Sequence, residues 1–246
     1  MRRLTLTRLA LVALLAGCAG ATQPPQNLQA VDVLLLGEQH DAPSHQQRHR
    51  ETIEALAGQK RLAALVLEMA PAGASTKGLS PQAEESAVRA ALQWDEKAWP
   101  WPTYAPAVMA AVRAGVPVLG ADLPRSQMRS VMSQQQLDAA LPPAALLAQQ
   151  AAIREGHCGL LPETQIAPMT RIQIARDQSM ARTVAAASVP GRTVLLLAGA
   201  GHVDETLGVP QHLPPSLRSR SLRWPAQPPQ KDYCAELRES LQGRKP

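Results

Sequence analysis

Residues 31–45, VDVLLLGEQHDAPSH, change from apolar to densely polar within a few positions. Five of the first six residues are apolar, and Gly37 is then followed by the polar run Glu38–Asp41. A short continuous apolar run is typical of a strand that is buried on both faces of a sheet. A loop that only reversed the chain would not need two carboxylates and an imidazole. The stretch therefore predicts a buried strand that ends in functional chemistry.

Further apolar runs have the same character, and helical patterns separate them. The predicted buried strands are Val31–Leu36, Leu62–Leu67, Val116–Gly120 and Thr193–Ala198, with Ser219–Arg223 as an added edge strand. The predicted helices are one capped by Ser44 and running to about Ala57, then Glu84–Gln93 and Ala105–Ala114. Alternating strands and helices predict parallel strands joined by right-handed crossovers. The expected fold class is α/β, with a parallel β-sheet core flanked by helices.

Residues 126–187 break this alternation, because their pattern is helical throughout. Met169–Ala187 is a long amphipathic run within them. We predict a smaller all-helical subdomain at residues 126–187, inserted in an α/β domain made of residues 31–125 and 188–246. Apart from the edge strand, the tail after Pro210 shows no continuous helix or strand.

The start of the chain predicts export and attachment to lipid. Three arginines precede an apolar run that is too short to span a bilayer and ends in small residues before Cys18. This resembles the lipobox of bacterial lipoproteins, in which the cysteine becomes the lipidated N-terminus; an ordinary signal peptide is the alternative. We expect a signal peptide at residues 1–17, a lipidated tether at residues 18–30, and a location on the periplasmic side of the outer membrane.

Charge and cysteine content limit the possible partners. Residues 1–17 contain three arginines and no acids, so their removal lowers the formal net charge from +5 to +2. A balance this close to neutral does not favour nucleic acid as a partner. Cys158 and Cys234 remain, and two cysteines outside the cytoplasm are more often paired than free. We predict a disulfide between them.

Ionisable side chains follow each of the four buried strands. The carboxyl ends of parallel strands share one edge of a sheet, so these side chains should converge there. In strand order they are Glu38 and His40, Glu68, Asp122 with Arg125, and His202.

Two histidines and a carboxylate from different strands are a recurring site for a divalent metal. We hypothesise that His40, Glu68 and His202 form a metal-dependent hydrolytic site. Glu38 or Glu68 would activate water, and Arg125 would stabilise negative charge. A variant of the hypothesis needs no metal and uses a histidine as the base. The simpler interpretations are hydrogen-bonded structural histidines and an ion pair between Asp122 and Arg125.

His45 and His49 are four residues apart on the first predicted helix and therefore share a face. With His40 they could add metal ligands. For His49 we favour a solvated face, because glutamines and arginines surround it; His45 stays open.

Aromatic residues are concentrated in Trp94–Val108, which contains three of the four tryptophans and one of the two tyrosines. The segment is either a local packing plug or the wall of a site for a flat ligand. In the second case the Tyr104 hydroxyl would be a hydrogen-bond donor or an iron ligand, since tyrosinate is an axial ligand of ferric haem.

Seven stretches together resemble the ChaN-like haem-binding lipoproteins, which are related to the erythromycin esterases and to the Tiki and TraB proteins. The resemblance extends from about Val31 to His202. The stretches are LLGEQHDAPSH, LVLEM, WPTYAP, GADLPR, EGHCGLLP, MTRIQIARDQSMA and LLLAGAGHV.

The resemblance implies a haem site at a dimer interface near the helical part of the fold. Tyr104 and His157 are then candidate haem contacts, with Met169 and Met180 as apolar cover. The enzymatic relatives use histidines and a glutamate for hydrolysis, and His40, Glu68 and His202 match those positions. We therefore expect a lipid-anchored, homodimeric haem-binding protein of haem or iron uptake. A metal-dependent hydrolase is the alternative, and a partner-binding scaffold is a third possibility.

Overall fold

The computed structural model describes residues 31–243 and shows an α/β fold built on a five-stranded sheet. The order across the sheet is β3-β2-β4-β1-β5, and all neighbouring strands run parallel. The predicted parallel-sheet core is confirmed. The strands are β1 (Val33–Glu38), β2 (Leu62–Pro71), β3 (Val118–Asp122), β4 (Thr193–Gly199) and β5 (Ser219–Arg223).

Helices occupy the connections between the strands. They are α1 (Pro43–Gly58), α2 (Glu85–Ala91), α3 (Trp101–Arg113), α4 (Arg125–Val131), α5 (Pro143–Gly156), α6 (Glu163–Ala187) and α7 (Tyr233–Gly243), with 3-10 turns at Gln135–Ala140 and Val209–His212.

The beginning of α1 differs from the prediction. The residue that precedes the helix is Ala42, and Pro43 occupies the first helical turn, so the predicted cap at Ser44 is wrong. Proline suits this position because its nitrogen has no hydrogen that would need a partner.

Successive residues of β1 point to opposite faces of the sheet and so enter two separate cores. Leu34 packs in one core with Ile53 of α1 and Val108 of α3, while Leu35 packs in the other with Val184 of α6. Because both faces are covered, β1 is buried along its whole length. This is why its sequence is continuously apolar.

The helices between β3 and β4 have a small apolar core of their own, which α6 links to the sheet. The second half of α6 covers the sheet, and Met180 is fully buried there. The prediction that Met180 provides apolar cover for haem is wrong, because its side chain does not reach the surface. The limits of a subdomain at residues 126–187 stay a prediction. The small core consists of Leu123, Val131, Leu137, Leu141, Ile174 and Ala175.

The tail contains a helix that the sequence did not predict. None of the residues of α7 is buried, although Tyr233, Leu237 and Leu241 recur at intervals of four residues along it. A disulfide between Cys158 and Cys234, with 5.7 Å between the two Cα atoms, attaches α7 to the end of α5. The predicted disulfide is confirmed.

The expected signal peptide, Cys18 and the tether lie outside the described residues. Across residues 31–243, none of the helices has the length and apolar character that a membrane span requires.

Candidate functional site

The carboxyl end of β1 carries a buried carboxylate that holds three other side chains. We call Glu38, His40, His49 and Tyr104 the Glu38 cluster. The Glu38 Oε1 atom lies 2.7 Å from Nδ1 of His40 and accepts a hydrogen bond of 2.8 Å from the Tyr104 hydroxyl. Its Oε2 atom lies 3.2 Å from Nδ1 of His49. Glu38 is thus paired on both oxygens, as a buried charge requires.

These partners determine the protonation of the Glu38 cluster. Burial alone would raise the pKa of Glu38, but hydrogen bonds from His40 and His49 lower that pKa to about 2. Burial and the negative charge of Glu38 raise the pKa of Tyr104 above its usual value. Tyr104 is therefore a neutral phenol that donates to a carboxylate.

The prediction for His49 on α1 is corrected here, and the open question about His45 is answered. His49 is buried rather than solvated, because it lies on the face of α1 that covers the sheet. His45 is buried as well: its Nδ1 atom accepts a hydrogen bond of 3.0 Å from the Gln39 amide, and its Nε2 atom lies 3.2 Å from the Pro225 carbonyl.

A second buried network lies at the ends of β2, β3 and β4, and α6 completes it. We call Glu68, Asp122, Arg176, Asp177 and His202 the Glu68 cluster. Arg176 donates to Oε1 of Glu68 at 2.7 Å and to Oδ1 of Asp122 at 2.6 Å. Nδ1 of His202 lies 2.6 Å from Oδ1 of Asp177, and its Nε2 atom lies 3.4 Å from Oε1 of Glu68.

The Glu68 cluster holds fixed charges rather than a poised base. Burial alone would raise the pKa of Glu68, but the charge of His202 keeps that pKa well below its usual range. Burial lowers the pKa of His202, but the charges of Glu68 and Asp177 overcome this and raise it to about 10. Two cations therefore flank an ionised Glu68.

His40 stands between the two clusters. Its side chain is 41% exposed, whereas that of Glu38 is fully enclosed. Enclosure lowers the pKa of His40, but the hydrogen bond to Glu38 and the charge of Glu68 raise it above its usual value. A Cβ atom at Gly199 would lie 2.9 Å from Nε2 of His40, so this close approach requires glycine.

The sequence-predicted site is thus assembled in part. His40, Glu68, His202 and Glu38 converge, but Arg125 does not join them. The Arg125 side chain is 75% exposed and lies 2.9 Å from Asp95. The predicted roles of Arg125 in the site and in an ion pair with Asp122 are wrong.

Arg176 occupies the place that was predicted for Arg125. Arg176 and Asp177, together with Gln173, are the functional residues that the sequence reasoning missed. Nε2 of Gln173 lies 3.1 Å from Nδ1 of His202, on the same side as Asp177. The available signal was a cluster of three polar residues on an amphipathic helix, because one of them, Asp177, lies at helical spacing among the apolar buried residues of α6.

A metal ion at His40, Glu68 and His202 is not supported. Both oxygens of Glu68 are engaged, one by Arg176 and the other by the Gly199 amide at 2.6 Å, and Asp177 engages Nδ1 of His202. Within residues 31–243, no group of three histidine, cysteine, aspartate or glutamate side chains has an arrangement that could hold a metal ion.

The predicted haem contacts lie in different places. Tyr104 is in the Glu38 cluster, whereas His157 follows α5 and is half-buried. Met169 is half-buried on α6. Neither His157 nor Met169 lines the two cavities described next.

Two cavities meet at His40. The strand-end pocket, of about 470 Å³, lies over both clusters and includes Glu68, Arg176 and His202. The strap cavity, of about 740 Å³, lies between α1, α3 and the strap, by which we mean residues 225–234. The residues that line both cavities are His40, Asp41 and Tyr233.

The aromatic segment contributes to packing and to a cavity wall. Trp94 packs edge-on against Trp101 with 5.0 Å between ring centroids, which is the packing plug. Trp99 and Tyr104, 5.9 Å apart, line the strap cavity. The packing interpretation is confirmed for Trp94 and Trp101, and a site for a flat ligand at this segment stays a prediction.

Comparisons with known proteins agree with this fold. Residues 25–213 match the protein family described as haem-binding uptake, Tiki superfamily, ChaN. A solved structure of ChaN of Campylobacter jejuni with cofacially bound haem is 25% identical in sequence, with a TM-score of 0.63. The similarity covers 78% of this chain and 81% of that chain. None of the curated proteins matches. The chain therefore belongs to the ChaN family of haem-binding uptake proteins in the Tiki superfamily.

Proposed function

We propose that this protein binds haem and serves haem or iron uptake as a lipid-anchored homodimer on the periplasmic side of a bacterial outer membrane. The observation that carries the proposal is the match of residues 25–213 to the haem-binding uptake family. The solved ChaN structure, which contains cofacial haem, supports the same ligand.

The chemistry of the two candidate haem contacts favours His157. Its Nδ1 atom lies 2.8 Å from the Ile153 carbonyl, so Nδ1 carries the proton and Nε2 keeps a free electron pair. A hydrogen bond from the second ring nitrogen to a carbonyl is how haem- and metal-binding histidines are usually oriented. His157 therefore fits a contact with the iron or with another haem group.

Tyr104 does not fit as an iron ligand in this structure. Ligation requires the phenolate, and the raised pKa of Tyr104 opposes its formation beside Glu38. Its hydroxyl proton is also committed to a hydrogen bond with that carboxylate.

Titration of the purified protein with hemin tests the proposal. We expect a saturable shift of the Soret band, an altered ferric spectrum in His157→Ala, and an unchanged spectrum in Tyr104→Phe. Absence of a saturable shift in the wild type would refute haem binding. Unchanged spectra in both single variants and in the double variant would refute the residue assignment alone.

The anchor and the dimer need separate measurements. Cys18→Ser should abolish incorporation of labelled palmitate and release the protein from the outer-membrane fraction. Light scattering with and without hemin should give a dimer, with a fixed ratio of haem to protomer. Labelling that survives in Cys18→Ser would contradict the lipid anchor. A monomer at all hemin concentrations would contradict the dimer.

One observation favours a second function, hydrolysis. His40 is oriented by Glu38 and is exposed where both cavities meet, which suits proton transfer to or from a bound ester or amide. Arg176 and His202 provide positive charge nearby for a developing oxyanion. The low pKa of Glu68 makes it unsuitable as the base.

Hydrolysis is tested with a p-nitrophenyl butyrate assay in the presence of a chelator. We expect turnover that resists the chelator and that His40→Ala removes. Turnover equal in the wild type and His40→Ala would contradict the hydrolytic role and leave haem binding unaffected.

A further inference from the structure

The edge of the sheet opposite the two clusters carries a row of cations. The strands β2, β4, β1 and β5 are neighbours, and each begins at this edge. Four of the six residues that lie directly before these strands are lysine or arginine, and one is an aspartate. We call these six residues the amino edge: Val31, Asp32, Lys60, Arg61, Arg192 and Arg218.

Hydrogen bonds between the strand starts join the amino edge into one continuous surface. The Thr193 amide donates to the Arg61 carbonyl at 2.7 Å, and the Thr193 hydroxyl donates to the Val31 carbonyl at 2.8 Å. The Asp32 amide donates to the Arg218 carbonyl at 2.9 Å. Cations that are distant in sequence therefore lie side by side.

The positive charge of the amino edge is exposed and only partly neutralised. Lys60 and Arg192 are exposed, and neither pairs with a carboxylate of residues 31–243. Arg192 donates instead to the carbonyl of Leu62, which leaves its charge in place. Arg218 pairs with Asp32 at 3.2 Å, yet its side chain remains 70% exposed. The amino edge therefore carries a net positive charge that faces the solvent.

The carboxyl edge of the same strands has the opposite balance. The two buried clusters contain four carboxylates, and Asp41 adds a fifth. Fewer cations face them, namely Arg176, His202 and, when it is protonated, His40. Such a separation of charge orients a protein in the field of an anionic surface, with its positive end towards that surface.

An exposed apolar tip lies beside these cations. It is formed by Val189 and Pro190 in the turn between α6 and β4. The Val189 side chain is 46% exposed, and its carbonyl accepts a hydrogen bond of 3.1 Å from the Arg192 amide. Apolar side chains next to cations are typical of surfaces that enter the headgroup region of a bilayer.

The lipid anchor proposed above leads to the same edge. Residues 18–30 connect Cys18 to Val31, which belongs to the amino edge. A chain of these thirteen residues spans at most about 45 Å when it is fully extended. A lipid on Cys18 therefore keeps the amino edge near the bilayer, whereas the carboxyl edge lies about 20 Å farther along the strands.

We propose that the amino edge is a docking surface for a bilayer of anionic lipid, and that docking turns the strap cavity and the strand-end pocket away from the membrane. Lipid phosphates pair with Lys60, Arg192 and Arg218, and Val189 enters the headgroup region. Ligands then reach both cavities from the aqueous side. The orientation rests on the proposed lipid anchor, whereas the docking surface rests on its own charges.

Co-sedimentation with vesicles tests the docking surface without the anchor. The mature chain from residue 18 onward, carrying Cys18→Ser, is mixed with vesicles of phosphatidylcholine alone or of equal parts phosphatidylcholine and phosphatidylglycerol. We expect binding to the anionic vesicles only, and loss of this binding in about 1 M salt, which screens charge beyond about 3 Å.

Substitutions locate the surface on the molecule. Lys60→Gln should weaken binding to the anionic vesicles about fivefold, and Lys60→Gln/Arg218→Gln about twentyfold. The matched control is Lys97→Gln, which removes an exposed lysine beside the strap cavity and should leave binding unchanged. All three side chains are exposed, so each variant can fold, and far-UV circular dichroism checks that it has done so.

Three results would overturn the docking surface. One is equal binding, or no binding, to the two kinds of vesicle. Another is binding to anionic vesicles that Lys60→Gln/Arg218→Gln retains in full. The third is binding to polyglutamate without binding to anionic vesicles, which would assign the amino edge to an acidic protein instead.

Fluorescence quenching measures the orientation of the lipidated chain. A fluorophore is attached at Gln59→Cys, next to the amino edge, or at Gln47→Cys, beside the strap cavity. With a quencher on the lipid headgroups, we expect quenching at Gln59→Cys only, and less of it when Lys60→Gln/Arg218→Gln is added. Equal quenching at the two positions would overturn the orientation. Palmitate labelling of Cys18 involves no vesicle, so failure of the anchor is distinguished from failure of the docking surface.

Discussion

The Glu68 cluster and the strap meet at the same edge of the sheet but are held in opposite ways. The Glu68 and His202 side chains are at most 5% exposed and paired to charged partners from several elements of the core. The strap is largely exposed and is held by a few hydrogen bonds and one disulfide. Replacing a member of the Glu68 cluster should therefore cost more stability than replacing an exposed residue of the strap. We infer that the Glu68 cluster contributes more to the stability of the fold than the strap does.

The largest expected effect is a loss of protein stability when the Glu68 cluster is disrupted. Arg176→Ala leaves Glu68 and Asp122 without the cation that both of them face. Removing one member of a buried ion pair costs about 3–5 kcal/mol of unfolding free energy. Urea unfolding measures this loss of unfolding free energy. The control is Arg125→Ala, which breaks an exposed ion pair with Asp95 and should cost less than about 1 kcal/mol. Equal losses in the two variants would contradict the distinction between buried and exposed charge.

The acid dependence of stability should also come from buried carboxylates. The pKa of Glu38 is about 2 in the folded chain and 4.5 in the unfolded chain. A lowered pKa stabilises the fold above pH 4.5, and this contribution is lost as the pH falls towards 2. The difference corresponds to about 3 kcal/mol.

Glu38→Gln tests this dependence. We expect the unfolding free energy of this variant to fall less steeply between about pH 5 and pH 2 than that of the wild type. Glu54→Gln is the matched control, because Glu54 is exposed. If Glu38→Gln has the slope of the wild type, the low pKa of Glu38 is contradicted.

The strand-end residues of the site could be predicted from the sequence, whereas Arg176 could not, for a physical reason. The order of apolar runs forces parallel strands, and parallel strands bring Glu38, Glu68 and His202 to one edge regardless of detail. The contribution of Arg176 depends instead on how α6 lies against the sheet. That position results from packing between segments distant in sequence.

Two errors in the sequence reasoning have local causes. His49 was assigned to solvent because its neighbours are polar, yet it lies three or four residues from other buried positions of α1. That spacing was the better guide. α7 was missed although Tyr233, Leu237 and Leu241 recur every four residues, because the helix is short and follows a proline-rich segment.

The smallest expected effect is on the strap itself. Asp41 accepts hydrogen bonds from the Gln230 amide at 2.8 Å and from the Tyr233 hydroxyl at 2.9 Å. Each such bond contributes about 1 kcal/mol, and Cys234 still tethers the strap when they are lost. Asp41→Ala should therefore leave urea unfolding changed by about 1 kcal/mol or less. It should accelerate amide hydrogen exchange in the strap by about tenfold.

The same substitution in the Cys158→Ser/Cys234→Ser background separates the two attachments. If hydrogen bonds and disulfide hold one cooperative strap, exchange in the triple variant should exceed the sum of the separate effects. Glu84→Ala, which removes an exposed carboxylate that lines neither cavity, is the control and should leave the strap unchanged. Additive effects would mean that the two ends of the strap move independently.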